Sequence, residues 1–257
     1  MVKVVSITWP YMYSPPKSYS SLSYSVPTRI AFIDVTERGE EISSRVVKLI
    51  EAKAPDVLII NRYTDTSLIG ASEGLYPYVL RSSLSSERTV EVFSKSPIPS
   101  PTRSEYGFGA LPGVFGIFET ADGVRFQLGA MDLLLSFSQE AFNRSRLTSR
   151  RLASALKYSS QPRIVVGAFR ASITSQLVDM YVDQLKLRSL FFNSGVGSLV
   201  QSFIDALYLS RNVNAFMARN IEVEERGELR SDVHGFVAVS FTVRIPRTEL
   251  SLLGTRG

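Results

Sequence analysis

From Glu40 to Lys53 the apolar residues Ile42, Val46, Val47, Leu49 and Ile50 recur at helical spacing, Ala54-Pro55 stops the pattern, and Asp56-Val57-Leu58-Ile59-Ile60 follows as a continuous apolar run. The first period is that of an amphipathic helix. Proline steers the residue before it away from helical geometry, which ends that helix. An unbroken apolar run is the pattern of a strand buried on both faces. A helix that leads straight into such a strand implies a layered α/β core.

Other segments fit that frame. Val2 to Trp9 is partly alternating and β-branched, a strand ended by Pro10, and a loop runs from there to Pro27. Arg29 to Val35, Val90 to Ser94, Val114 to Glu119 and Val124 to Met131 read as strands, with Ala121-Asp122-Gly123 as a hairpin turn between the last two. Pro97 to Pro112 is rich in Pro, Ser and Gly and reads as an exposed loop. Arg163 to Gly167 is a buried strand, Thr174 to Leu185 a helix, Ile204 to Leu209 a strand, and Val237 to Val243 closes the sheet. With no internal repeat or linker, residues 1–245 read as one domain of two sheets between helical layers, and 246–257 as a weakly ordered tail.

Composition removes several chemistries. The chain has no cysteine, which excludes disulfides, thiolate zinc sites and cysteine nucleophiles. No apolar run reaches the roughly 18 residues of a membrane span. The start lacks the basic-then-apolar pattern of a signal peptide, so the chain reads as soluble, its compartment undetermined. A formal charge of +5 and a pI near 9.4 permit attraction to nucleic acid. Arg144, Arg146, Arg150, Arg151 and Lys157 are the nucleic-acid-binding candidates. Their interleaving with Leu147, Leu152, Ala155 and Leu156 has a simpler reading, the solvated basic face of an amphipathic helix.

A set of collinear motifs resembles the endonuclease/exonuclease/phosphatase family. Ile7-Thr8-Trp9 is similar to its opening strand, usually followed by Asn, and Pro55 to Ile60 to its Pro-Asp-Val strand, usually followed by Gln-Glu. Ser94-Lys95-Ser96-Pro97-Ile98 resembles Ser-Arg-x-Pro-Ile. Gly167-Ala168-Phe169-Arg170 resembles Gly-Asp-Phe-Asn, Ile204-Asp205 the Ile-Asp strand, and Ser231-Asp232-Val233-His234 the closing Ser-Asp-His. The resemblance implies a four-layer αββα sandwich of two mixed sheets flanked by helices, and Mg²⁺-dependent cleavage of phosphate esters with a His-Asp pair.

Most of the matched positions lack the implied chemistry. The metal-binding Glu falls at Arg62 and the Gln before it at Asn61; the opening Asn falls at Pro10. The Asp and Asn of Gly-Asp-Phe-Asn fall at Ala168 and Arg170, and a His of the preceding strand at Asp132. Only Asp205, Asp232 and His234 keep family-like identities, and Val233 separates the last two. The substitutions shift the charge of these positions by about +3, turning a cation site cationic. Asp132 could then pair with Arg62 or Arg170. These residues are therefore relic positions rather than a catalytic set.

The sequence shows no nucleophile elbow, P-loop or dinucleotide fingerprint. His234 is the only histidine, which excludes a histidine-rich metal site and leaves a surface histidine as an even alternative to a catalytic relic. Trp9 and the tyrosines read as packing residues. The expectation is a catalytically inactive scaffold or binding module that needs no metal or cofactor, its partner a protein assembly or nucleic acid. The alternative is a divergent phosphodiesterase or phosphatase whose Mg²⁺ site is rebuilt from Asp132, Asp205, Asp232 and Asp34.

Overall fold

The computed structural model describes residues 25–63, 74–82, 87–99, 111–133, 138–157, 161–168, 188–192, 214–219, 222–227 and 236–246. The strand proposed at 2–9 with Pro10, the helix at 174–185, the strand at 204–209 and residues 247–257 lie outside them.

Strand β1 (Ser25–Val35) runs antiparallel to β11 (Phe236–Pro246) along its whole length and parallel to β2 (Val57–Tyr63). The crossover between the parallel strands is helix α1 (Glu40–Lys53), with Glu40 and Glu41 in its first turn and Lys53 in its last, each charge complementing the helix dipole. Glu41 also pairs with Arg45 one turn on, at 2.6 Å. Ala54 ends the helix in the left-handed conformation, its N–H donating to the Ile50 carbonyl at 2.7 Å, and Pro55 prevents continuation. With β3 (Tyr78–Arg81), β4 (Arg88–Ser94) and β10 (Glu222–Gly227) the first sheet has the order β10-β11-β1-β2-β4-β3.

The second sheet has the order β5-β6-β7-β9-β8, from β5 (Gly113–Glu119), β6 (Arg125–Asp132), β7 (Arg163–Ala168), β9 (Asn214–Arg219) and β8 (Arg188–Phe192). Strands β5 and β6 form the expected hairpin, in which Gly123 takes a φ of 78° that an L side chain rarely adopts. Helix α2 (Gln139–Lys157) crosses from β6 to the parallel β7.

Alternation along the strands sorts the core into layers. Ile30, Phe32, Val57, Ile59, Val90 and Val92 of the first sheet meet Phe118, Phe126, Leu128, Ala130, Ile164, Val166 and Ala168 of the second in one buried cluster between the sheets. The opposite row, Ala31, Ile33, Val35, Leu58, Ile60 and Phe93, packs against Val46 and Ile50 of α1 in a separate cluster. On the second sheet Leu152 of α2 lies so close to Gly129 that a β-carbon there would sit 2.7 Å from it. The layers are α1, first sheet, second sheet, α2, an αββα sandwich.

Three expectations need correction. The last strand extends to Pro246, which pairs with Ser25, so Pro246 belongs to the sheet and not to a tail. That strand is interior, with β10 at the edge beside it; β10 reads Glu-Val-Glu-Glu-Arg-Gly, too charged to show as a strand by pattern. In α2 the buried face is Ser145, Thr148, Ser149, Leu152 and Ala153, whereas Leu147 is 45% exposed.

Candidate functional site

Following the inner rows past their apolar stretch leads to one end of the sandwich, where they turn polar. Row 30-32 of β1 continues to Asp34, row 57-59 of β2 to Asn61 and Tyr63, and row 92-90 of β4 to Arg88. On the second sheet row 128-130 of β6 continues to Asp132 and row 164-166 of β7 to Ala168. Asp34 is in register with Asn61, Tyr63 with Arg88, and Asp132 with Ala168.

Arg88 is the centre of this end. Its Nη2 donates to Asp34 Oδ1 at 2.7 Å, its Nε to Asp132 Oδ2, and its Nη1 to the Val35 carbonyl at 2.9 Å. One guanidinium thus joins carboxylates from the two sheets, with 18% of its side chain exposed and both carboxylates buried. The Tyr63 ring lies 4.7 Å from the Arg88 guanidinium carbon and 4.7 Å from that of Arg38, and its hydroxyl donates to the Thr36 carbonyl at 3.2 Å. Arg38 in turn bonds Glu87. Burial works against the Arg88 charge, but Asp132 and Asp34 more than offset it, holding its pKa above the ordinary arginine value.

Asn61 makes a second bridge between the sheets, its Nδ2 donating to the Met131 carbonyl at 3.3 Å. Its buried Oδ1 has no hydrogen-bond partner among the described residues.

Arg62 points the other way. It lies on the outer row with Leu58 and Ile60, where its Nε and Nη2 grip Glu91 at 2.8 and 3.0 Å and its Nη1 donates to the Tyr63 carbonyl at 3.0 Å. Both side chains are almost fully buried, 4% and 2% exposed, and Arg81 adds a contact to Glu91 at 3.0 Å. Its fork-to-fork geometry is the strong form of the pair.

Of the two cations expected at Asp132, Arg62 sits on the opposite face of its sheet, so its charge does not enter the inter-sheet end; Arg170 lies outside the described residues, and Arg88 is a cation that the sequence did not offer there. Asp34, Asp132 and Arg88 together carry one net negative charge. The strand that leads through α1 into Pro-Asp-Val is β1, as expected from Arg29 to Val35, and its last inner polar residue is Asp34; Ile7-Thr8-Trp9 and Pro10 lie outside the described residues. Ala168 is fully buried and offers no ligand. Arg170, Asp205, Asp232 and His234 lie outside the described residues.

Arg88 was missed because the strand was taken to begin at Val90. The signal was present: Arg88 stands two residues before Val90 and four before Val92, in line with their apolar row. The Ser94 to Ile98 motif lies at the far end of the sheet and has a structural explanation. Ser94 Oγ donates to the Ser96 carbonyl at 2.8 Å, Lys95 bonds the Ala54 carbonyl, and Ile98 packs on the inter-sheet core.

The basic candidates lie on α2, which covers the outer face of the second sheet. Arg144, Arg150 and Arg151 are exposed, and Arg146 is half-buried with its guanidinium 6.0 Å from the Phe142 ring centre. Lys157 ends the helix, its side chain outside the described residues. This stripe lies on the outer layer of the sandwich, with the second sheet between it and the inter-sheet core.

Among the described residues, the donor set at this end fits a divalent cation poorly. Mg²⁺ takes about six oxygen ligands in near-octahedral geometry. Here two carboxylates are engaged by a guanidinium, Asn61 is neutral, Ala168 has no donor and Arg62 faces elsewhere. Among the described residues no three His, Cys, Asp or Glu side chains gather as a metal-holding group.

No protein-family model and no curated protein matches the sequence. Solved structures do match in fold. The human nocturnin catalytic domain with bound sulfate gives a TM-score of 0.60 at 12% identity, covering 84% of this chain and 94% of its own. An endonuclease/exonuclease/phosphatase family protein from Bacteroides thetaiotaomicron gives 0.58 at 14% identity over 87% and 97%. Sphingomyelinase C from Streptomyces griseocarneus gives 0.54 at 11% over 87% and 100%.

Proposed function

We propose that this chain, whose fold is the one adopted by endonuclease/exonuclease/phosphatase proteins, is catalytically inactive and serves as a scaffold or binding module. The observation that carries the reading is Arg88, held between Asp34 and Asp132 where the two sheets would have to present ligands to a shared cation. A divalent cation about 4 Å from that guanidinium meets a repulsion of about 8 kcal/mol at an effective dielectric of about 20, as large as its attraction to one carboxylate at that distance. Among the described residues, one carboxylate's worth of net attraction remains. That is too little to strip and hold Mg²⁺, which dehydrates reluctantly.

A rebuilt metal-dependent phosphodiesterase is the second reading. It is favoured by the convergence of Asp34 and Asp132 and by the unpartnered Asn61 Oδ1, which are hard oxygen donors at one end of the fold. It requires Arg88 to leave.

Calorimetric titration of the whole chain with Mg²⁺ and Mn²⁺, with hydrolysis assays on DNA, RNA and phosphate esters, separates the two. The inactive reading expects no saturable heat and no metal-dependent turnover. Turnover that disappears in Asp34→Ala or Asp132→Ala would overturn it.

A further inference from the structure

We propose that the exposed face of α2 docks an acidic protein segment that presents an apolar side chain between its carboxylates. This gives the binding-module reading a surface and a partner chemistry, and it rests on that reading.

The two helices are built differently. In α1 acidic and basic residues alternate, and Glu41 pairs with Arg45 within one turn. In α2 the only acidic residue is Glu140 in the first turn, so Arg150 and Arg151 have no carboxylate within reach on their own helix. Like charges crowded on one helix face cost stability, and an anionic partner would relieve that cost.

Leu147 decides between kinds of anion. It stands with Arg144 before it and Arg150 and Arg151 after it on the outward face, 45% exposed. The patch from Arg144 to Arg151 is about 10 Å long, roughly two helical turns. A phosphodiester backbone neutralises arginines but offers nothing apolar to Leu147. An anionic bilayer takes basic residues too, but a peripheral helix binds it through a broad apolar face, and α2 has none: Leu147 stands alone among arginines outside, and Leu152 is turned inward onto Gly129. Arginines around an exposed aliphatic anchor match the make-up of a protein-protein contact, a desolvated centre with charged surroundings.

The test uses the whole chain and three fluorescent probes: a Glu-rich helical peptide with leucine once per turn, the same peptide with serine in place of leucine, and a single-stranded RNA of equal charge. Anionic vesicles form a fourth arm. The leucine peptide should bind at least about tenfold tighter than the serine peptide, because burying one leucine is worth about that factor or more. Leu147→Ser should remove that advantage without changing the salt dependence, and Arg150→Glu with Arg151→Glu should abolish binding of both peptides. All these side chains are exposed, so melting temperatures should stay at the parent value, and a variant that melts lower is replaced by Leu147→Gln or Arg150→Gln. Equal binding of the two peptides, tighter binding of RNA or vesicles, or indifference to Leu147 would each overturn the proposal. Metal-dependent hydrolysis in a parallel assay would instead overturn the inactive reading, whatever the peptides do.

Discussion

Arg62 and Arg88 lie on adjacent strands at the same end of one sheet, and each is anchored to buried carboxylate, yet they do different work. Arg62 pairs with Glu91 of the neighbouring strand on the face turned towards α1, so its bond ties β2 to β4 and stays within one sheet. Arg88 faces the other sheet, and its bonds to Asp34 and Asp132 tie the two halves of the sandwich. The first is a structural pair. The second joins the sheets at their polar end. One step along a strand reverses the face, and that reversal separates an arginine that ties two strands of one sheet from one that ties the two sheets together.

The largest test of this contrast is Arg62→Glu, the substitution that motif matching alone would choose to restore a metal ligand. It should place a second carboxylate against buried Glu91 and cost at least about 4 kcal/mol, read by urea denaturation, with no gain in Mn²⁺ affinity. A stable, metal-binding variant would mean that Arg62 faces the inter-sheet end after all.

Arg88→Met should cost less, about 2 to 4 kcal/mol, because Arg88 is itself 18% exposed against 4% for Arg62 and its removal introduces no new charge. The same variant should acquire a weak Mn²⁺ stabilisation, seen as a rise in melting temperature that the parent lacks. If Arg88→Met melts like the parent with and without Mn²⁺, the inter-sheet clamp has no energetic role.

Tyr76 sharpens the comparison from the opposite end of the outer face, where its hydroxyl donates to the Pro55 carbonyl at 3.0 Å. Burial, with a smaller contribution from Asp56, pushes its hydroxyl pKa well above the ordinary value. The native state therefore keeps a proton that the unfolded chain releases above about pH 10, so stability present below that pH falls as pH rises past it. Tyr76→Phe should cost about 1 kcal/mol at neutral pH and flatten that alkaline loss, measured by denaturation across pH 8 to 11.

The smallest effect belongs to an arginine with no buried partner. Arg150→Ala should change stability by no more than about 0.5 kcal/mol, against several for the two buried arginines, in the same denaturation series. A larger loss would place Arg150 in an intramolecular contact and weaken the case for α2 as a docking face.

Much of the architecture was legible because it is written in short periods. The helix at Glu40–Lys53 matches its sequence-based bounds, and the hairpin around Ala121-Asp122-Gly123 follows from turn chemistry. The short or charged strands β3, β8, β9 and β10 were not legible, since they have too little pattern of their own and exist as strands through the hydrogen bonds of the neighbours they pair with. Leu147 misled for a related reason: an isolated leucine on a helix counts as apolar in any periodicity, but the face that docks is chosen by the sheet, and Gly129 chose the side with Leu152.

The sequence by itself determined the alternation of helix and strand, the absence of thiol and multi-histidine chemistry, and the lack of an acidic side chain at Arg62 and Ala168. These are properties of residue identity and local period, which need no knowledge of what lies opposite. Only the tertiary structure decided that Arg62 turns outward and Arg88 inward, and that Asp34 and Asp132 share one guanidinium, because those partners lie 54 and 44 residues from Arg88 and the second is on a different sheet. A motif fixes a residue's place along the strand, whereas the face it presents and the charge it meets follow from how the two sheets stack.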